Sequence, residues 1–243
     1  MTPIYMTSFF RKHFTERAVR EIHERTEPGT FEIHIYDNGS DKETRDYLNG
    51  LLDQGLVKSV MLDSRNTGCR YNKGIFHMMT TVDEPYYIVS DNDVFPPKLT
   101  PDWLSQMRAI MDAHPEVALL TPQLPPQSFQ MPDFTNIPSD IVYCKAVGNT
   151  YKMVRREKFP LDTFAPQLGQ YSDDSYVSNY VSLNGDKVAF CRNIFCYHAG
   201  QCHNWGYTQE QIDKDPRKQG YGKPFVYEFE DEEKYLPVLE WRI

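Results

Sequence analysis

The triplet Asp91-Asn92-Asp93 follows directly on the apolar run Tyr86–Ser90. Two carboxylates one residue apart at the end of a strand repel each other unless a cation sits between them. Hard divalent ions take such oxygens and keep coordination positions for water or phosphate. The same triplet also reads as a turn rich in Asp and Asn. A second acidic turn, Asp37-Asn38-Gly39-Ser40-Asp41, closes a run in which Phe31, Ile33 and Ile35 alternate with Glu32 and His34. Asp37 at that strand end could accept a hydrogen bond from a base or a sugar, and Ser40 with Glu43 has capping-box spacing. Ser172-Asp173-Asp174-Ser175 opens a helical pattern. Acids there cap the helix, or one of them serves as a general base. His198 ends the apolar stretch Lys187–Tyr197 and precedes Ala199-Gly200. It reads as a hydrogen-bonded structural residue or as one turned into a cleft.

The elements that must carry these residues alternate between strand and helix. Ile4–Ser8 reads as a strand, Phe14–Arg25 as a helix, and Phe31–Tyr36 as a strand ending at the Asp37 turn. A helix starting at Ser40 carries Tyr47, Leu48, Leu51 and Leu52, with Gly55 as its C-terminal stop. Val57–Leu62 is the next strand, followed by the loop Asp63–Gly68 and a helix bearing Ile75, Met78, Met79 and Val82. After Tyr86–Ser90 comes a helix that Thr100-Pro101 would start, and then the strand Val117–Thr121. Such βα units imply a mostly parallel sheet with right-handed crossovers, and ligands of such sheets sit beyond the carboxyl ends of the strands. Asp37, the Asn66 loop and Asp91-Asn92-Asp93 all fall at that edge. Residues 122–138 hold five Pro and read as loop. Val142–Val147 and Tyr151–Val154 read as strands around Gly148-Asn149, and Ser172–Leu183 as a helix closed by Gly185.

Composition bounds the function classes. The chain has 243 residues, 26 basic against 34 acidic side chains, a formal charge of −8, 14% aromatic residues and sixteen Tyr. That is a globular composition, and its acidity argues against a nucleic-acid binder held by charge alone. No run approaches the ~18 apolar residues of a membrane helix, and the N-terminus lacks the charge-first order of a signal peptide. The five Cys, at 69, 144, 191, 196 and 202, form no CxxC pair and read as thiols of a reducing cytosol. Cys196, His198, Cys202 and His203 have a spacing that fits no common zinc module. One domain over 1–243 is expected: a nucleotide half (1–121), an acceptor-side and catalytic half (122–200) and a tail (201–243).

Taken in order, these motifs resemble the glycosyltransferases of the GT-A fold, most closely glycosyltransferase family 2, over roughly residues 3–200. The resemblance rests on Ile35–Asp41, on Asn66-Thr67-Gly68 with Asn72 and Gly74, and on Tyr87–Asp93. Gly148-Asn149 with Arg155–Phe159, Asp173-Asp174 and His198 complete it. Three departures are visible. Gly68 and Asn72 stand two residues closer than is usual, Tyr176 replaces the second acid of the family's E-D-x-D, and Asp173 replaces its Glu.

The resemblance implies an α/β, Rossmann-like, mostly parallel central sheet flanked by helices, with a smaller acceptor-side β region. It implies a nucleoside diphosphate sugar donor, commonly UDP-linked, bound by Thr7, Asp37, Asn66, Arg70, Asp91 and Asn92. It further implies Mn²⁺ or Mg²⁺ on Asp93, His198 and Asp91, with Asp174 as the base for inverting transfer to an acceptor hydroxyl. That acceptor is a glycan or another hydroxyl compound, a modified nucleic acid included. Arg155 and Arg156 read as diphosphate contacts or as a solvated basic pair. The processive synthases' Gln/Arg-x-x-Arg-Trp motif and membrane helices are absent. The competing readings are a nucleotidyltransferase, which would want a glycine-rich basic loop in 6–12, and a non-catalytic nucleotide- or sugar-binding module.

Overall fold

A computed structural model describes residues 1–64, 83–124, 139–159, 173–199 and 239–242, with backbone alone for 173–176 and 239–242. The first strand, β1 (Thr2–Ser8), lies at the centre. It pairs in parallel with β2 (Phe31–Asp37) on one side and β4 (Tyr86–Asp91) on the other, and β3 (Ser59–Asp63) extends the parallel block beyond β2. Helices α1 (Lys12–Arg25) and α2 (Lys42–Asp53) make the crossovers.

Beyond β4 the sheet continues through β8 (Lys152–Arg155), β6 (Val117–Gln123), β9 (Lys187–Phe195) and β7 (Ile141–Cys144), and β11 (Leu239–Arg242) closes the far side against β3. Six of the nine strands (β1, β2, β3, β4, β6, β9) run the same way, so the expected mostly parallel α/β sheet is present. A separate two-stranded ribbon pairs β5 (Val94–Phe95) antiparallel with β10 (Tyr197–His198).

Both faces of the sheet are covered. Ile4, Met6, Ile33, Ile35, Val60, Leu62 and Ile88 pack beneath α1, α2 and α3 (Trp103–Ala113). The alternate positions Tyr5, Tyr36, Met61, Tyr87 and Val89 form a second core with Val177 and Val181 of α4 (Asp173–Leu183). His34 alternates with the apolar positions of β2 and is itself buried. It stacks on Tyr5 at 5.0 Å and bonds Ser59 Oγ at 2.8 Å through Nδ1. Burial lowers its pKa to about 4, so it sits in the core as a neutral ring.

Several boundaries depart from the sequence reading for local reasons. The cap of α2 is Asp41, which accepts from Thr44 N at 3.0 Å, because Ser40 is engaged elsewhere. The helix α3 is capped by Asp102, not by Thr100, through bonds from Leu104 N at 3.0 Å and Ser105 N at 3.2 Å. Asp outranks Thr as a cap and also meets the Ser105 hydroxyl. Gly55 does end α2: at φ 69 it lets Gly55 N reach Leu52 O and Leu56 N reach Leu51 O, a Schellman closure.

The strand β6 runs on through Pro122, at a register shift against β9 where a missing N–H is tolerated. β7 and β8 do not pair with each other. β8 is buried along its length and fills the centre between β4 and β6, whereas β7, with Tyr143 exposed, takes the edge. The expected helix around Ile75–Val82 lies outside the described residues.

Candidate active site

The carboxyl ends of β1, β2 and β4 meet at one edge, where Thr7 pairs with Asp91 and Ser8 with Asp37. Asp93 lies in the turn between β4 and β5, almost fully buried at 1% exposure. His198 reaches it because β10 pairs back onto β5, with His198 opposite Val94 and Ala199 N donating to Asp93 O at 2.9 Å. His198 Nε2 then stands 3.2 Å from Asp93 Oδ1. The other oxygen, Oδ2, accepts from Arg11 Nη1 at 2.6 Å, and Arg11 Nη2 reaches Asn92 Oδ1 at 3.3 Å. Burial alone would raise the Asp93 pKa. The His198 contact and the Arg11 charge outweigh it and hold the carboxyl at about 2.

Asn92 is turned into the protein. Its amide donates to Thr15 Oγ1 at 2.9 Å, and its backbone N donates to Thr7 O at 3.1 Å. Asp91 is half-buried at the strand end, its N–H donating to Asn149 O at 2.9 Å, so the Gly148-Asn149 loop is drawn against the acidic triplet. Asp37 is fully buried: Ser40 N donates to it at 3.0 Å, and the Ser40 hydroxyl donates to its other oxygen. Beside this turn lies a cavity of about 270 Å³ lined by Ser40, Lys42, Arg45, Asp46, Asn49 and Leu62.

Position 174 is the second residue of α4. Ser178, one turn later, accepts from Val147 N at 3.3 Å, which sets the start of that helix beside the Gly148-Asn149 loop. Asn66 and Arg70 lie outside the described residues. Arg155 and Arg156 take neither expected role. Arg155 pairs in register with Tyr86 at the amino end of β4, and it is buried on the carbonyls of Val117, Met111 and His114. Arg156 Nε donates to Glu84 O at the same far edge.

Among the described residues, Arg11 is a site neighbour with no forewarning in the sequence. An Arg-Lys pair after an apolar strand carries no motif, and its meeting with Asp93 is a contact across 82 positions.

Among the described residues no three His, Cys, Asp or Glu groups come together as a cation-holding set. The pair that does form suits a divalent ion. Asp93 Oδ1 is buried with no well-formed hydrogen bond among the described residues, and an imidazole nitrogen faces it. One hard oxygen and one nitrogen leave most of a coordination sphere for phosphate and water.

The Asp37 carboxyl is pushed up to about 6 by burial, against the opposing Ser40 bonds. Its ionised form is therefore disfavoured by folding. The native state holds the extra proton between the unfolded value near 4 and about 6, so stability falls as pH rises through that window. Lowering the pH from 7 to 4.5 should stabilise wild type relative to Asp37→Asn by about 2 kcal/mol. Urea unfolding of both proteins at the two pH values reads it.

A sequence profile of glycosyl transferase family 2 matches residues 4–166, more than half of the chain. The chain belongs to glycosyltransferase family 2. This glycosyltransferase has the GT-A fold, and its family membership sets aside the nucleotidyltransferase alternative. No curated protein matches it by sequence.

Solved structures that share the fold include the following three. A mannosyltransferase from Pyrobaculum calidifontis, in complex with GDP-Man and Mn²⁺, superposes with a TM-score of 0.62 at 14% identity, covering 90% of this chain and 69% of that one. S. aureus TarS 1–349, in complex with UDP-GlcNAc, superposes at 0.59 and 13% identity over 88% of this chain. GalNAc-T7, with UDP, GalNAc and Mn²⁺, superposes at 0.61 and 15% identity over 85%. The chain spans 61% of the TarS fragment and 44% of GalNAc-T7. Among the described residues no helix is long and apolar enough to cross a membrane.

Proposed function

We propose that this family 2 glycosyltransferase moves one sugar from a nucleoside diphosphate sugar to an acceptor hydroxyl, with a divalent cation and by inverting single displacement. The observation that carries this reading is the buried Asp93–His198 pair at the carboxyl end of β4, 3.2 Å apart. Asp93 and His198 would hold Mn²⁺ or Mg²⁺, with Asp91 at the strand end beside them. The cation supplies charge neutralisation where the departing diphosphate becomes more negative.

The protein's own part is positional. The nucleoside lies along the carboxyl edge of β1, β2 and β4, past Thr7 and Asp91. The base enters the cavity beside the Asp37 turn, whose rim carries Lys42 and Arg45. Asn92 braces the acidic turn from within, and the family resemblance adds Asn66 and Arg70 as donor contacts. The diphosphate faces the start of α1, whose first turn holds no acid, so the helix dipole favours the anion. Asp174 takes the proton from the acceptor oxygen as that oxygen bonds to the anomeric carbon. The bond from that carbon to the diphosphate breaks on the opposite face, and its electrons leave with the nucleoside diphosphate.

The complexes of these similar structures, with GDP-Man, with UDP-GlcNAc, and with UDP and GalNAc, support a nucleotide-linked donor. A thermal-shift panel of UDP- and GDP-sugars with and without Mn²⁺ tests the whole. One donor should raise the melting temperature only when Mn²⁺ is present. At a hundredfold excess over Kd the stabilisation is about 2.7 kcal/mol. A donor that shifts equally without Mn²⁺ would remove the cation from the proposal, and no shift with any donor would remove the donor class.

A further inference from the structure

We propose that Arg11 is a positioning residue that holds one oxygen of Asp93, so that a divalent cation binds well only when a diphosphate arrives with it. This rests on the assignment of the cation to Asp93 and His198.

The two oxygens of Asp93 are divided between two partners, the Arg11 guanidinium on Oδ2 at 2.6 Å and His198 Nε2 near Oδ1 at 3.2 Å. Both members of the ion pair are shielded, with side-chain exposures of 9% for Arg11 and 1% for Asp93. A shielded pair is neither weakened much by salt nor exchanged freely with water.

The backbone that delivers Arg11 is costly to form. Phe10 and Arg11 have φ of 50° and 51°, two successive residues with side chains in the left-handed region. Such conformations persist where surrounding contacts over-determine them, and they gather at functional sites. The turn is pinned by Phe10 N donating to Ser40 Oγ at 2.7 Å. Ser40 in turn donates to Asp37, so one turn joins the two acidic motifs. The guanidinium also lies 5.5 Å from the centre of the Phe14 ring, which orients its plane.

A bare divalent ion at this site meets one carboxylate oxygen instead of two. It also meets a fixed positive charge on the same carboxylate. Both effects weaken it. An ion already bound to a diphosphate carries no net positive charge, and the guanidinium no longer repels it. Arg11 thereby makes loading of cation and donor a joint event.

The test is Mn²⁺ binding without nucleotide, followed by electron paramagnetic resonance of the free ion. Wild type, Arg11→Gln, Arg11→Lys and Asp93→Asn are compared, each checked for its melting temperature. Arg11→Gln should bind Mn²⁺ about tenfold more tightly than wild type, because charge and competitor are both removed. Arg11→Lys should stay near wild type. A merely structural ion pair would give the opposite result, since loosening Asp93 would weaken the ion. Equal or weaker binding in Arg11→Gln overturns the proposal, as does an Arg11→Lys that binds as tightly as Arg11→Gln. Should Arg11→Gln fail to fold, Arg11→Gly relieves the left-handed backbone and must show the same gain. The underlying assignment fails separately, if Asp93→Asn binds Mn²⁺ as wild type does.

Discussion

Asp93→Asn is expected to lower turnover by about a thousandfold or more, the scale on which cations and preorganised charges stabilise a developing anion. The change is nearly isosteric, so shape is kept while charge is lost. The Asp93 carboxyl, held at about 2, is ionised throughout the neutral range. An amide cannot reproduce that charge beside His198 and Arg11. Stability should fall as well, by about 1–3 kcal/mol, because Arg11 is left shielded without its counter-charge. The sign with pH follows from the same depression. The ion pair's contribution is complete above the unfolded value near 4 and is lost as pH falls through about 2. Steady-state assays with Mn²⁺, alongside urea unfolding at neutral pH, separate the two effects. Undiminished turnover in a folded Asp93→Asn protein would end the cation role of this residue.

Asp174→Asn should reduce kcat by about 10²–10⁴, the range for loss of a general base, while the Kd for the donor moves less than about threefold. The reasoning is positional. Position 174 lies in the first turn of α4, and Ser178 of that helix accepts from Val147 next to the loop that touches Asp91. A base there serves the acceptor side and leaves the nucleotide side alone. Donor affinity by calorimetry and single-turnover rates read the two quantities separately. A fall in donor affinity as large as the fall in rate would make Asp174 a binding residue and not the base.

Much of the frame was legible from local pattern. The apolar strands β1 and β4, the alternating strand β2, the helical stripes of α1 and α2, and the placement of Asp37 and Asp91 at strand ends follow from local pattern alone. Gly55 and Gly185 were legible as stops, because a left-handed residue after a helix favours glycine. The capping residues of α2 and α3 were not. Ser40, Asp41, Thr100 and Asp102 are all competent caps; Ser40 is taken by Asp37, and Asp102 outranks Thr100.

The alternation in β2 reports two faces and not what covers them, so the burial of His34 is visible only in the fold. Arg155 and Arg156 read as anion contacts or as a solvated basic pair because charge is visible in a sequence. The antiparallel course of β8, which carries them to the far edge, is not.

By itself the sequence determined the α/β class, the acidic turns at the strand ends and a family resemblance strong enough to name a chemistry. These are local or ordered along the chain, and local physics writes them into residue type and spacing. The tertiary structure alone decided which of the acids acquires a partner. His198 reaches Asp93 only through the β5–β10 ribbon, across 105 positions, and Arg11 only through a strained turn pinned by Ser40. Long-range pairing and burial carry no period, so the charge on Asp93 and its two neighbours became visible only once the chain was folded.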